Sequence, residues 1–450
     1  MKSSPCVYIE NLGCAKNQVD AEIMGARLED AGWSWTTDPD EASLILVNTC
    51  GFIEPAQQES IDTTLAILSE YPDVPVALAG CLAQRYADDL AAEIPELAGV
   101  FGNREPDRIV EFLRRLESHD SGPLVWLPEG ARTPAEPRRG VLLSHPGTAY
   151  VKIAEGCDHH CSFCAIPSIR GLQRVRTAES ILAEFRELRS RGIREFNLVA
   201  QDLAAWTGES RETGFLSLLD QLLREPGDFW LRPLYLYPDT FPLEVVRRSV
   251  DDPRLLPYFD LSFQHGSIEI LRRMGRPGDA ERYLDLIGRI RAINPDVILR
   301  SSFIVGFPGE TDREFQELLD FVRTAELEWV GVFEFSPQAG TPAGDRRTGR
   351  VPAAEKRRRR EVLEEMQQPI TTRRLERFKD RTVPVLLEES IRGTEIALGR
   401  SRMQAPDVDG LVVVHGANAA GTIGPGALVE AVVTGITGVD MQAEFRCTIG

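Results

Sequence analysis

Short apolar runs alternate with helical patterns along most of this 450-residue chain, and that alternation constrains the fold more than any other feature. Apolar runs separated by helices are the signature of parallel βα units. From Pro5 to about residue 120 the runs are Val7-Tyr8-Ile9, Leu44-Ile45-Leu46-Val47 and Val76-Ala77-Leu78-Ala79, with helical patterns at Val19 to Asp30 and Glu59 to Ser69. Each run ends in a cysteine: Cys14, Cys50 and Cys81. Residues just past the carboxyl ends of adjacent parallel strands converge on one edge of the sheet. Three thiols are therefore expected to meet there; the competing reading is three small buried residues filling a core.

Six further runs follow, at Ala149 to Ala154, Phe196 to Ala200, Leu231 to Tyr237, Phe259 to Phe263, Val297 to Val305 and Val330 to Phe335, with helical patterns at Ala178 to Arg191, Ala280 to Ile293 and Asp312 to Ala325. Six repeats fall short of a closed eight-stranded barrel, which predicts an open, partial barrel with a side opening suited to a large substrate. Residues 121 to about 147 carry five prolines and no sustained periodicity, as in a linker or extended crossing segment. A charged helix is expected from Pro352 to about Arg377, its run Lys356 to Arg360 forming a solvated face. Beyond Asp380, short β-like runs broken by glycines, such as Val383 to Leu387 and Leu411 to Val414, point to a small all-β barrel. The expected architecture is α/β: an N-terminal parallel-sheet domain over 1–120, a linker over 121–142, a partial (β/α)6 barrel over 143–376 and a small β-barrel over 377–450.

The net charge of −18 and pI near 5.0 are the reverse of a nonspecific nucleic-acid binder and favour a basic macromolecular partner. The N-terminus lacks an apolar stretch of signal-peptide length, which reads as cytoplasmic. Gly410 to Val429 is uncharged and long enough to span a membrane, but its glycines, Pro425, His415 and Asn418 argue for short strands and turns, with no membrane association. In a reducing compartment the eight cysteines suggest metal or catalytic roles before disulfides.

Cys157, Cys161 and Cys164 stand at C-x3-C-x2-C spacing in a loop just after the first barrel strand, near the face where barrel enzymes place their chemistry. Zinc would need a fourth ligand, His159 or His160, and usually pairs two C-x2-C motifs. A four-iron four-sulfur cluster held by three thiolates would keep one iron free of protein, an open position able to admit a substrate or cofactor.

The triad, with Phe163 just before its last cysteine, resembles the radical S-adenosylmethionine signature. In that superfamily the free iron is chelated by S-adenosylmethionine, which is cleaved to methionine and a 5′-deoxyadenosyl radical. The segments "NLGCAKNQVD", "NTCGF" and "AGCLAQRY" around Cys14, Cys50 and Cys81 resemble the N-terminal domain of the methylthiotransferases, "CSFCAIPSIRG", "LVAQD", "FIVGFPGET" and "FSPQAGTPA" their radical domain, and the final segment their TRAM domain. The resemblance covers essentially the whole chain. It implies two 4Fe-4S clusters, one on Cys157, Cys161 and Cys164 and one on Cys14, Cys50 and Cys81, together with S-adenosylmethionine.

Within that family, "LYLYPD" and "GRSRMQAPDVDG" resemble the branch that modifies an aspartate of ribosomal protein S-twelve; the alternative is the branch acting on a tRNA adenosine. From Lys379 to Gly450 there are six Lys or Arg against nine Asp or Glu, the wrong balance for a phosphate-binding module, so tRNA is disfavoured. One departure from the family is Gln404, where an acidic residue is common, which would remove one docking charge. The resemblance implies transfer of a methylthio group to the aspartate β-carbon, with ribosomal protein S-twelve or the small ribosomal subunit as partner, an electron donor of flavodoxin or ferredoxin type, and a sulfur source. Candidate cofactor-binding residues are Phe163 (adenine pocket), Gln201, Arg300 (pairing with a carboxylate), Gly306 and Gly309; Gly306 to Glu310 is equally a strand-to-helix turn capped by Thr311 and Glu314. His159 and His160 would shape the loop, His265 is either in the site or structural, and Cys6 and Cys447 are expected to be noncatalytic.

Overall fold

Continuous apolar runs become strands covered on both faces. In the computed structural model, which describes residues 4–130, 138–208, 214–417 and 423–449, β1 (Cys6–Asn11), β2 (Ser34–Trp35), β3 (Leu44–Thr49), β4 (Val76–Ala79), β5 (Gly99–Phe101) and β6 (Leu124–Trp126) form a parallel sheet in the order β2-β1-β3-β4-β5-β6. Side chains alternate across it. Val7, Leu44, Leu46 and Ala77 pack with Ala21, Met24 and Leu28 of the helix Ala15–Asp30, whereas Ile45, Val47, Val76 and Leu78 pack with Ile67 and Leu90 on the other face. The edge strand β6 lies in the proline-rich stretch read as a linker; residues 131–137 of that stretch fall outside the described residues.

In the centre, β7 (Thr148–Lys152) is followed by a short antiparallel pair, β8 (Ala154–Glu155) and β9 (Arg174–Val175). Next come β10 (Glu195–Val199), β11 (Trp230–Pro233), β12 (Tyr258–Asp260), β13 (Ile298–Val305) and β14 (Trp329–Glu334). Two parallel ladders, β7-β10-β11 and β12-β13-β14, are joined by the bridges Leu231 to Leu255 and Leu236 to Leu261. Six parallel strands thus run side by side in chain order, with an apolar layer between them and their helices. Among the described residues β14 does not pair with β7, so a seam stays open as the repeat count predicts. The N-terminal domain spans that seam. Its helix Ala15–Asp30 joins the β7 side, where Glu22 pairs with Arg139, while the Glu54 N–H and Gln57 reach Ser336 and Gln338 beyond β14.

The helix Ala353–Glu376 leads to β15 (Thr382–Ser390), β16 (Ile396–Arg400), β17 (Val412–His415), β18 (Leu428–Thr437) and β19 (Asp440–Ile449), a closed barrel ordered β15-β16-β17-β19-β18. The uncharged stretch 410–429 therefore supplies β17 and the start of β18, Asn418 lying outside the described residues, and no described helix is long and apolar enough to cross a membrane.

The loop between β16 and β17 forms a floor under the amino-terminal ends of the central strands. Trp329 Nε1 donates to the Met403 carbonyl (2.7 Å), Arg232 to the Ser401 and Arg402 carbonyls, and the Tyr258 hydroxyl to Asp409 (2.6 Å). Glu195 accepts from Arg232 (2.8 Å) and Arg400 (2.6 Å). Gln404 belongs to this floor: it is buried, and its side-chain Oε1 accepts from the Ser401 N–H and hydroxyl. The expectation of a missing docking charge is corrected accordingly, since a side chain at 404 contributes nothing to an external surface.

Candidate active site

In the N-terminal sheet the strand order reverses between β1 and β3, and open α/β sheets bind ligands at such a switch point. Cys14 and Cys50 follow these two strands, and Cys81 follows their neighbour β4. The turns are tightly apposed: a Cβ on Gly13, whose φ is +94°, would lie 2.8 Å from the Cys50 Cβ, so only glycine brings the two loops this close. The Cys50 N–H donates to Ser60 Oγ (3.0 Å), and Cys81 Sγ receives Asn103 Nδ2 (3.3 Å) and Arg170 Nη2 (3.2 Å). Burial pushes the Cys50 thiol up to about 12 and raises that of Cys81 despite Arg170. Cys14 is exposed, yet the packed atoms around it still oppose its thiolate; Lys16 and Arg170 outweigh them and hold that thiol below its ordinary value.

Cys157, Cys161 and Cys164 lie on the loop between β8 and the short helix Ile166–Arg170, at the carboxyl end of the barrel strands and opposite the floor. The Cys157 N–H donates to the Gly171 carbonyl and the Ser162 N–H to that of Met274 (2.9 Å). Arg276 reaches Cys161 Sγ at 3.6 Å while lying over the Tyr237 ring, and His159 stacks on the same ring 4.0 Å away and hydrogen-bonds Asp202 (2.8 Å). His159 therefore shapes the loop, as expected. Burial raises Cys157 to about 11 and Cys164 to about 12, so binding iron at either triad must expel protons.

The two triads adjoin. Cys81 packs directly with Ala165 and Ile169, the first of which follows Cys164. Arg170, fully buried, donates to Cys81 Sγ, Asn17 Oδ1 (2.6 Å), Asp20 (3.0 Å) and Glu155 (2.8 Å), and Lys152 pairs with the same two carboxylates. Lys16 reaches the barrel mouth, its Nζ 3.4 Å from the Ala200 carbonyl and 3.9 Å from the Tyr235 ring centre. Among the described residues no carboxylate lies within ion-pairing distance of it. Tyr235 itself holds a left-handed backbone (φ +67°), a conformation that costs a non-glycine residue about 1–3 kcal/mol and clusters at working sites.

Gln201 is at that mouth, donating to Glu155 (3.4 Å), while among the described residues its buried Oε1 has no hydrogen-bond partner. Phe163 packs with Ile270, Met274, Phe307, Phe335 and Ala343 behind the cysteine loop. Arg300 was expected to meet a cofactor carboxylate; instead Asp260 (2.9 Å) and Asp409 of the floor (3.4 Å) already engage it. Gly306 (φ +72°) and Gly309 (φ +87°) press against Lys356 and Arg273, in a turn with a complete Thr311–Glu314 capping box. His265 is buried beside Glu310, and Cys6 starts β1 while Cys447 lies near the end of β19, apart from both triads. Sequence reasoning passed over Arg170, Arg276 and Lys16. The first and last were signalled by their positions six residues after Cys164 and two after Cys14; nothing local marks Arg276.

Among the described residues no three or more His, Cys, Asp or Glu stand close enough to hold a single metal ion, the two cysteine triads included. Each triad offers three thiols beside a buried cation, Arg170 at one and Arg276 at the other, a donor set whose chemistry fits an iron-sulfur cluster.

Comparison with known proteins agrees with this layout. Family models match residues 6–102 (uncharacterized protein family UPF0004), 151–322 (radical SAM superfamily) and 381–445 (TRAM domain). Ribosomal protein uS12 methylthiotransferases RimO from Treponema denticola (39% identical over 96% of this chain and 98% of the relative), Desulforudis audaxviator (40%; 98% and 97%) and Moorella thermoacetica (41%; 91% and 93%) align along nearly the whole sequence. Among solved structures, the radical S-adenosylmethionine methyltransferase TsrM from Kitasatospora setae superposes with a TM-score of 0.57 at 16% identity, covering 76% of this chain and 77% of TsrM. The radical enzyme OxsB gives 0.51 at 13%, covering 81% and 56%. At such identities these two likenesses concern the fold.

Proposed function

Since the chain belongs to the family of ribosomal protein uS12 methylthiotransferases, we propose that it transfers a methylthio group to the β-carbon of an aspartate in uS12, with its two cysteine triads as the two working centres. The observation that carries this reading is their contact, Cys81 against Ala165 and Arg170 on Cys81 Sγ. Membership of the radical SAM superfamily brings a 4Fe-4S cluster and S-adenosylmethionine, and the second triad is assigned a second cluster. When bound, these groups supply one-electron cleavage of S-adenosylmethionine and a store of transferable sulfur, chemistry that side chains cannot provide for an unactivated C–H bond.

Cys157, Cys161 and Cys164 would hold one group and Cys14, Cys50 and Cys81 the other, on neighbouring loops of the two domains. Arg276 and Arg170 neutralise thiolate charge from outside each site. Gln201 Oε1 offers an acceptor at the barrel mouth. Lys16 presents a cation there, suited to a carboxylate attached to the very carbon being modified. The N-terminal domain lies across the seam, and the β16–β17 loop closes the barrel from beneath. The small barrel favours a basic protein partner: acidic residues outnumber basic ones over it, and Arg400 is buried in the floor.

The test is anaerobic reconstitution followed by incubation with uS12 peptide and S-adenosylmethionine. One methylthio group on the aspartate is expected by mass spectrometry, with about eight irons per chain. Methylthio on tRNA with uS12 unchanged, or fewer than about four irons, would overturn the assignment.

A further inference from the structure

Most arginines of this acidic chain are held by carboxylates, but one face departs from that rule. From Asp345 to Arg360 there are eight Lys or Arg against two acidic residues, in a protein of net charge −18. Arg346, Arg347 and Arg350 are exposed, as is Arg273 of the neighbouring helix, and among the described residues none of the four has a carboxylate within ion-pairing distance. They lie on one continuous surface. Arg273 donates to the Gly309 carbonyl (2.7 Å), the Gly309 N–H to that of Gly349 (2.7 Å), and Arg350 to that of Gly344 (3.0 Å). Asp345, the one carboxylate between residues 335 and 350, accepts from the Gly340 N–H.

This surface is attached to the loop of the radical triad. The Ala343 N–H donates to the carbonyl of Ser162 (2.8 Å), between Cys161 and Cys164, and the Ser162 hydroxyl donates to the Arg273 carbonyl (2.7 Å). Phe163 packs against Ala343 and Met274 of the same two segments. The unpaired charge therefore sits on the outer side of the cysteine loop, with the substrate mouth at Lys16 and Gln201 on the inner side.

We propose that Arg273, Arg346, Arg347 and Arg350 form the docking face for an acidic one-electron carrier protein that feeds the Cys157–Cys161–Cys164 centre. The proposal rests on the functional reading above, which requires an outside electron. Each docking passes one electron. The carrier is oxidised by one electron, and one S-adenosylmethionine sulfonium is reduced to methionine as its C5′–S bond breaks, the unpaired electron leaving on C5′. A basic substrate such as a ribosomal protein is repelled by this face. An RNA backbone would meet the same charge, but phosphate contacts gain nothing from lying on the cysteine loop, whereas electron transfer falls off steeply with distance. Complementary charge also steers encounter and loses strength in salt.

Reconstituted wild-type enzyme is compared with R346E/R347E and with R346K/R347K, substitutions at two guanidinium groups that hold no backbone. Cleavage of S-adenosylmethionine to methionine is driven either by reduced flavodoxin or by dithionite, a small reductant that needs no docking. With flavodoxin the Glu variant is expected to lose about tenfold in rate together with most of its salt dependence, while the Lys variant keeps both and dithionite supports all three within about twofold. Binding of oxidised flavodoxin, measured separately, should weaken in the Glu variant alone. An unchanged flavodoxin rate, equal loss with both reductants, or lost RNA binding with intact flavodoxin binding would each overturn the proposal. Failure of the dithionite-driven wild type to modify uS12 peptide would instead count against the functional reading and leave the docking result standing.

Discussion

Replacing Arg170 by methionine tests how the two centres are held together. Methionine fills much of the same volume but removes every donor. Arg170 makes four contacts, to Cys81 Sγ at 3.2 Å, Asn17 at 2.6 Å, Asp20 at 3.0 Å and Glu155 at 2.8 Å, all buried. Its loss leaves two buried carboxylates sharing the single ammonium of Lys152. Removing one partner from a buried ionic group costs about 3–5 kcal/mol, mostly because a charge is stranded rather than because attraction is lost. A charge-assisted hydrogen bond counts for about 1.5–3 kcal/mol, and four sharing one guanidinium do not add. The expected destabilisation is therefore about 3–5 kcal/mol, a large part of the ~5–15 kcal/mol that holds a typical domain folded. Urea denaturation of the anaerobic apoprotein measures it. If a stranded charge is the cause, adding E155Q to R170M should recover at least about 1 kcal/mol, because it removes the excess carboxylate. A loss below about 1 kcal/mol for R170M, or strict additivity with E155Q, would refute this account.

Three further outcomes are expected. Alanine at Cys50 or at Cys161 should each leave about half of the roughly eight irons, measured by iron analysis, since each triad fills independently. Lys16→Met should retain iron and S-adenosylmethionine cleavage yet lower uS12 modification by about 10–100-fold, as loss of one charge-assisted contact worth about 1.5–3 kcal/mol implies; unchanged modification would remove Lys16 from substrate binding. Burial disfavours the Glu195 carboxylate, but Arg400 and Arg232 overcome it and hold its pKa below the ordinary value. A depressed carboxylate stabilises the fold fully above its unfolded pKa of about 4.3, and this is lost as pH falls through the folded value. E195Q should therefore melt lower than wild type at pH 7, with the difference narrowing below about pH 4.

Much of this molecule is legible in its sequence because βα alternation and residue spacing are local properties. The helices Ala280–Ile293 and Asp312–Ala325 fall where their periodicity places them, and three cysteines follow three neighbouring strands at one carboxyl edge because those strands are parallel. What escaped depends on contacts between distant segments. The three-residue β6 is too short to show alternation and sits among prolines. Arg300 reads as a free cation on a barrel strand, yet Asp409, more than a hundred residues later, comes up through the floor to meet it. Gln404 looks like surface because glutamine usually is, and only the docked barrel buries it. Arg170 stands beside the triad in sequence, but three of its four partners, Cys81, Asn17 and Asp20, belong to the other domain.

The floor has a consequence for how the protein is made. Synthesis proceeds from the amino terminus, so all six central strands emerge before the loop that closes their underside. Until then Arg232, Glu195, Tyr258, Trp329 and Arg300 lack the partners that the β16–β17 loop and Arg400 bring. A nascent chain halted after the helix Ala353–Glu376 would present a barrel with an open, charged base, prone to hydration and to capture by chaperones. Formation of the small barrel thus also supplies the last partners of the buried polar groups at the base of the central strands.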